Sequence, residues 1–301
     1  AVERHGNTRC VYHQDLTTAH HAVGNSLQPG DLLITLGAGN VHEAGRKIAD
    51  DLVLLEALRS EFGEGELEAR LYEAMRRHTT MLVGGPAQFW VEPRTFPAFG
   101  RAVVFFKERG VPVRVVGRGS NLLIRDGGIR GAVIHPAKGE FGEVTVEAEL
   151  LTAGAGARLK KVASVAEAAG LGGFAWMEGI PGNVGGGLRM NAGAMGLETF
   201  DQVVSVMFLD EDGEIRTRSR GEIEAFYRNV PKLHRNYALQ VIFRGIPAGM
   251  EEIREEMSES RNHRRSTQPV AASAGCIFKN PDRIGAGQLI DELGLKGKRV
   301  G

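Results

Sequence analysis

Residues 179–196 read Gly-Ile-Pro-Gly-Asn-Val-Gly-Gly-Gly-Leu-Arg-Met-Asn-Ala-Gly-Ala-Met-Gly, seven glycines in eighteen positions, interleaved with apolar residues rather than with serine or charge. A flexible linker is not built this way. Glycine lacks Cβ, so its amide can turn toward a ligand and its backbone can approach closely, and such a run suits a wall of N–H donors around a phosphate. A set of tight turns between core elements would explain the same glycines without a ligand.

A second loop shifts that balance. Val111-Pro112-Val113-Arg114-Val115-Val116 is a short β-branched run that predicts a strand, and Gly117-Arg118-Gly119-Ser120-Asn121-Leu122-Leu123-Ile124-Arg125-Asp126-Gly127-Gly128 leaves it. Gly117-x-Gly119 lacks a glycine three positions on. Leu122-Leu123-Ile124 predicts another strand rather than a helix opening, so a dinucleotide fingerprint is excluded. Ser120 and Asn121 add side-chain donors to the amides. Strand, anion loop, strand is then a diphosphate cradle.

With their flanks, the two loops resemble the UDP-N-acetylenolpyruvoylglucosamine reductase family. The match begins at His78-Thr79-Thr80-Met81-Leu82-Val83-Gly84-Gly85-Pro86-Ala87 and runs through both loops to Phe226-Tyr227-Arg228-Asn229. It closes with Ser273-Ala274-Gly275-Cys276-Ile277-Phe278-Lys279-Asn280-Pro281 and Gly285-Ala286-Gly287-Gln288-Leu289-Ile290-Asp291. The resemblance covers about residues 68–301. It implies an α+β fold in which two subdomains hold FAD and a third, truncated here, carries substrate. The expected division is 63–133 and 134–248 for the FAD subdomains and 249–301 for the substrate domain.

Residues 1–62 fall outside that pattern. Gly30-Asp31-Leu32-Leu33-Ile34-Thr35-Leu36-Gly37-Ala38-Gly39-Asn40 predicts a strand entering a glycine turn, and 43–58 predicts a helix with Ile48, Leu52, Leu55 and Leu58 at helical spacing. This strand–loop–helix is similar to the C-terminal end of a UDP-N-acetylmuramate–alanine ligase. So small an α/β piece is marginal alone, which predicts a ligase domain fused upstream. An α/β extension packed on the reductase is the alternative.

Thirty-seven basic residues balance thirty-seven acidic ones, which argues against a nucleic-acid partner. No stretch approaches eighteen consecutive apolar residues, and the first residues lack a signal-peptide layout, so a cytoplasmic enzyme without membrane insertion is expected. The two cysteines, Cys10 and Cys276, lie too far apart in sequence to suggest a disulfide framework, and no spaced ligand set predicts a metal.

The chemistry that the resemblance implies is reduction of an enolpyruvyl ether in peptidoglycan precursor synthesis. NADPH reduces FAD, hydride then passes to C3 of the enolpyruvyl group, and a protein acid protonates C2. Developing negative charge needs a fixed cation and the carbon needs a placed proton donor. Arg228 matches the first need, because a guanidinium stays charged and holds a carboxylate through two bonds. Cys276 stands where the family commonly has serine. A thiol, with an ordinary pKa of about 8.5, remains protonated near neutrality and is the better acid.

For the cofactor, the resemblance implies Gly117, Arg118, Gly119, Ser120, Asn121 and Leu122 from the first loop. From the second it implies Ile180, Pro181, Gly182, Val184, Gly185 and Gly186, with Asn191, Ala192 and Gly193 beyond. Tyr227, Lys279, Asn280 and Gln288 are implied substrate contacts. Arg261-Asn262-His263-Arg264-Arg265 ends a predicted helix, either complementing its dipole or approaching the substrate's diphosphate. Family members continue past Leu295-Lys296-Gly297 into a segment with a catalytic glutamate, which this sequence does not reach. It is therefore expected to be part of a longer polypeptide. Two other readings stay open: a catalytically incomplete flavin-binding module, and another FAD oxidase of the same superfamily.

Overall fold

A computed structural model describes residues 11–24, 26–28, 30–37, 39–268, 271–275, 277–281 and 283–299. Two helices come first, α1 (Leu16–Gly24) and α2 (Val41–Ser60). A four-stranded sheet comes next, made of β1 (Leu67–Ala74), β2 (Pro86–Pro93), β3 (Val113–Val115) and β4 (Ile129–Ile134), with α3 (Phe96–Glu108) between β2 and β3. Its order is β1-β2-β4-β3, antiparallel between β1 and β2 and parallel elsewhere. Strand β2 is central, which is why Phe89, Trp90 and Val91 are buried in succession rather than alternately.

The second sheet draws on β5 (Val144–Glu147) and β6 (Leu150–Gly154). After them come α4 (Leu159–Ala168), β7 (Leu171–Gly172), α5 (Val184–Met190), and the short pair β8 (Gly193–Ala194) and β9 (Leu197–Glu198). The chain continues through β10 (Val203–Leu209), β11 (Ile215–Ser219), α6 (Lys232–Arg235), β12 (Tyr237–Arg244) and β13 (Ile246–Pro247). Five of these strands form an antiparallel sheet in the order β11-β10-β12-β6-β5. The last two helices are α7 (Met250–Thr267) and α8 (Ala286–Glu292). Among the described residues no helix is long and apolar enough to cross a membrane.

Helix α3 joins the two sheets. Thr95 caps it by accepting from Ala98 N at 3.2 Å, and Pro97 sits in the first turn, where a missing N–H costs nothing. Its apolar stripe (Phe99, Ala102, Val103, Phe106) is buried with Phe89 and Val91 of the first sheet and Leu209 and Leu239 of the second. Each buried aromatic contributes about 1.5–3 kcal/mol, and Phe99→Ala would lose about 3–5 kcal/mol.

Helix α2 forms where the spacing predicts it. Its Leu55 and Leu58 belong to that same core, and Asp51, 8% exposed, accepts from Tyr72 Oη (2.5 Å) and Gln88 Nε2 (2.7 Å). The expected strand before it does not form. Residues 31–36 are irregular, with Leu32, Ile34 and Leu36 63–86% exposed, because among the described residues no neighbouring strand offers a ladder. Leu122–Ile124 is not a strand either. Strands β3 and β4 are parallel neighbours, so the chain must travel back the length of β3 before it can pair again, and 116–128 is that crossover.

Candidate functional site

The fold brings the two glycine loops together. A Cβ on Gly117 would lie 2.8 Å from Asn183 Oδ1, and one on Gly182 would lie 3.6 Å from Ser120 Oγ. Among the described residues no protein acceptor takes the backbone amides from Gly117 to Ile124. The first loop thus presents N–H groups along an open backbone, with Ser120 and Asn121 at its turn.

The second loop differs. Gly182 N donates to Ile180 O (3.0 Å), Val184 N to Ala157 O (2.9 Å) and Gly185 N to Ala155 O (2.7 Å). Val184–Met190 is helical rather than a chain of turns, and Asn191 closes it in the left-handed conformation at φ 40°. Asn191 Oδ1 accepts from Phe200 N, its Nδ2 donates to Glu198 Oε2 (2.6 Å), and Ala192 O accepts from Thr199. A Cβ on Gly193 would fall 2.4 Å from Leu197 O. Asn191, Ala192 and Gly193 are therefore occupied by the protein's own turn, and the amides of Val184 and Gly185 by carbonyls just beyond strand β6.

What fits a cofactor is the space left over. A Cβ on Gly186 meets nothing within 4 Å, and one on Gly182 meets only side-chain atoms at 3.6 Å and beyond. Packing within the protein does not require glycine at those positions, whereas close approach of a bound group does. Gly119 shows the opposite case. At φ 66°, its added Cβ would lie 2.1 Å from His78 O and 2.9 Å from Thr79 Cα. Its glycine is demanded by the motif beneath it as much as by any ligand.

That floor is a group of residues that sequence reasoning missed. His78 stacks on Trp90 at 3.9 Å between centroids, and Trp90 lies 4.9 Å from His135. His135 Nδ1 bonds Val116 O at 2.8 Å, directly before the first loop. Burial pushes the His135 pKa down, against the pull of that carbonyl. Burial would raise the Glu73 pKa, yet hydrogen bonds from His78 and Arg70 outweigh it and hold the carboxyl below its ordinary value. Asn183 was also missed: its Nδ2 donates to Gly156 O while its Oδ1 lies buried against Gly117 without a hydrogen-bond partner among the described residues. Its polarity amid glycines was the available signal.

Arg228 sits in a tight turn closed by Phe226 N to Asn229 O (2.8 Å) and Asn229 N to Phe226 O (3.0 Å). Its φ is 52°, a costly conformation for a residue with a long side chain, and strain of this kind concentrates where function fixes geometry. Its guanidinium carbon lies 5.9 Å from the Tyr227 ring, and Tyr227 is 48% exposed.

The third segment approaches the first loop. Thr80 Oγ1 donates to Ser273 O at 2.7 Å, and a Cβ on Gly275 would stand 4.0 Å from Ser120 O. Cys276 and Cys10 both lie outside the described residues. Lys279, Asn280 and Gln288 are exposed. Asn280 Oδ1 accepts from Ala286 N (3.0 Å), and Gln288 pairs with Glu292 (2.9 Å). The basic end of α7 turns inward, since Arg261 meets Glu178 at 3.2 Å beside Lys160 at 2.9 Å, and Arg264 packs against Gly179.

A two-sheet α+β body with facing glycine loops and an amide-rich crossover defines a flavin-nucleotide-binding protein. Residues 87–219 match the FAD binding domain family, and 268–301 match the C-terminal domain of UDP-N-acetylenolpyruvoylglucosamine reductase. The chain is 40% identical over 242 residues to the UDP-N-acetylenolpyruvoylglucosamine reductase of Agathobacter rectalis, covering 76% of this chain and 77% of that one. It is also 40% identical over 233 residues to the reductase of Bradyrhizobium, with 76% and 75% covered. The crystal structure of the reductase from Thermus caldophilus superposes with a TM-score of 0.67 at 37% identity, covering 78% of this chain and 82% of that one. The chain belongs to the UDP-N-acetylenolpyruvoylglucosamine reductase family.

Proposed function

We propose that this chain reduces UDP-N-acetylglucosamine enolpyruvate to UDP-N-acetylmuramate with NADPH as hydride donor, through FAD. The observation that carries this reading is the run of amides from Gly117 to Ile124 that have no protein acceptor among the described residues, beside Gly182 of the second loop, in a chain of this family. Bound FAD supplies hydride transfer between NADPH and C3 of the enolpyruvyl group. Gly117–Leu122 would give it N–H donors, and Ile180, Pro181, Gly182 and Gly186 would let it approach.

Arg228 holds the substrate carboxylate, and its fixed charge stabilises the negative charge that grows as hydride arrives. The Cys276 thiol delivers the proton to C2, and Lys279, Asn280, Gln288 and Tyr227 orient the sugar nucleotide. Addition of one hydride and one proton saturates the double bond. We propose the division 63–133, 134–248 and 249–301. Its support is that the two sheets lie within 67–134 and 144–244.

For 1–62 we propose a ligase tail of a fused protein. Apart from the sequence likeness, the exposed run Leu32–Leu36 is apolar at every position but Thr35, close to what a strand buried inside a parallel sheet needs. Stopped-flow measurement of the two half-reactions tests the reductase reading. Cys276→Ala should accept hydride from NADPH normally and fall about 10²–10⁴-fold in reoxidation by the enolpyruvyl sugar, while Cys276→Ser keeps substantial activity. NADPH oxidation that does not depend on that sugar would sink the reading.

A further inference from the structure

The His78-Thr79-Thr80 motif carries no role in hydride or proton transfer, yet it touches both parts of the site. Thr80 N donates to Gly119 O at 3.4 Å, and Thr80 Oγ1 donates to Ser273 O at 2.7 Å across 193 residues of sequence. Behind it, Thr79, 4% exposed, closes a turn through Thr79 Oγ1 to Val83 O (2.8 Å). Below, His78 and Thr79 leave no room for a Cβ on Gly119.

On the other side the Ser273 hydroxyl accepts from Gly275 N (3.0 Å), which folds Ser273–Gly275 on itself and leaves the Ser273 carbonyl to Thr80. Cys276 comes directly after Gly275 in sequence. Residue 80 is therefore bonded to the cofactor loop by its backbone and to the acid-bearing segment by its side chain. Its own turn is closed by Thr79 Oγ1 to Val83 O and Leu82 N to Thr79 O.

We propose that Thr80 is a positioning residue: it sets the segment that bears the proton donor against the flavin loop. The inference rests on the assignment of Cys276 as acid. A hydroxyl contact of this kind affects geometry rather than binding of the cofactor. Misplacement of a reacting group by a fraction of its reach lowers the step that uses it and leaves the other step alone.

The test compares Thr80→Val, which keeps shape and removes the donor, with Thr80→Ser, which restores it. Both half-reactions are measured with NADPH and the enolpyruvyl sugar, alongside flavin content and Cys276→Ala. Thr80→Val should keep its FAD and its reduction by NADPH within about twofold, and should slow reoxidation by substrate about ten- to a hundredfold. Thr80→Ser should recover most of that loss. Loss of flavin in Thr80→Val, or equal slowing of both half-reactions, would assign the residue to the cradle and overturn the proposal. A stalled Cys276→Ala beside a normal Thr80→Val overturns this inference alone. A normal Cys276→Ala removes the acid assignment and this proposal with it.

Discussion

From Gly117 to Ile124 the backbone amides have no protein acceptor among the described residues, while in Gly179–Gly196 the amides of Gly182, Val184, Gly185, Gly187 and Ala192 are all bonded within the protein. Both stretches are rich in glycine. In the first, the lack of a neighbouring strand along a parallel crossover leaves these donors without a partner among the described residues. In the second, a short helix and its left-handed cap consume the donors, and glycine serves close packing against Ala155, Leu159 and Leu197. Glycine count alone cannot separate a ligand-facing loop from a tightly packed one. What surrounds each Cα separates them.

Gly119→Val should break the comparison most severely. It places a β-branched residue at φ 66°, a backbone state that costs about 1–3 kcal/mol, and drives Cβ into the His78 carbonyl. The purified protein should lack the visible flavin bands and unfold at lower temperature. Full flavin content would mean that the loop is not the cradle.

Arg228→Ala lies next in size and leaves both loops intact. It should retain flavin and NADPH reduction while substrate reoxidation falls about 10²–10³-fold. The Ala variant keeps a Cβ at φ 52°, so it leaves the backbone strain in place. A loss of stability with both half-reactions unchanged would make Arg228 a structural residue.

Gly186→Ala sharpens the distinction with opposite signs. In the helix Val184–Met190, and with nothing within 4 Å of its Cβ, alanine should raise the stability of the flavin-free protein by about 1 kcal/mol. The same methyl should weaken FAD binding. Tighter or unchanged FAD affinity, measured by fluorescence titration, would place the cofactor away from Gly186.

Much of this was legible in residues. The spacing of Ile48, Leu55 and Leu58 fixes α2, the β-branched run fixes β3, and the ordered motifs fix the family. Leu122–Ile124 misled because strand propensity is local whereas pairing needs a neighbour, and the return path of a parallel crossover denies it one. Leu32–Leu36 misled because no strand among the described residues lies beside it to pair with. The hydrogen bonds of Asn191 to Glu198 and Phe200 depend on the hairpin of Gly193–Ala194 with Leu197–Glu198, which no pattern announces. The stacked His78–Trp90–His135 floor gathers three separate segments, and only the sheet register brings them together.

The smallest expected effect asks whether acid acts on the loops or elsewhere. Helix α1 lies on α2 and β1 through His20 and His21, whose rings stand 5.6 and 5.1 Å from Tyr72. Burial, with His20, His13, Lys47 and Arg130 nearby, pushes the His21 pKa down to about 4. The folded state therefore keeps this imidazole neutral, while the unfolded chain takes up a proton below its ordinary value of 6.5. The contribution is whole above that value and is lost as pH falls from 6.5 toward about 4, after which both states are charged and the slope ends. Hydrogen exchange should show α1 losing protection across that interval while flavin content holds, and His21→Gln should remove the dependence. If acid instead released flavin with α1 still protected, the sensitive groups would lie under the first loop, at His135 and its neighbours, rather than at the N-terminal helices.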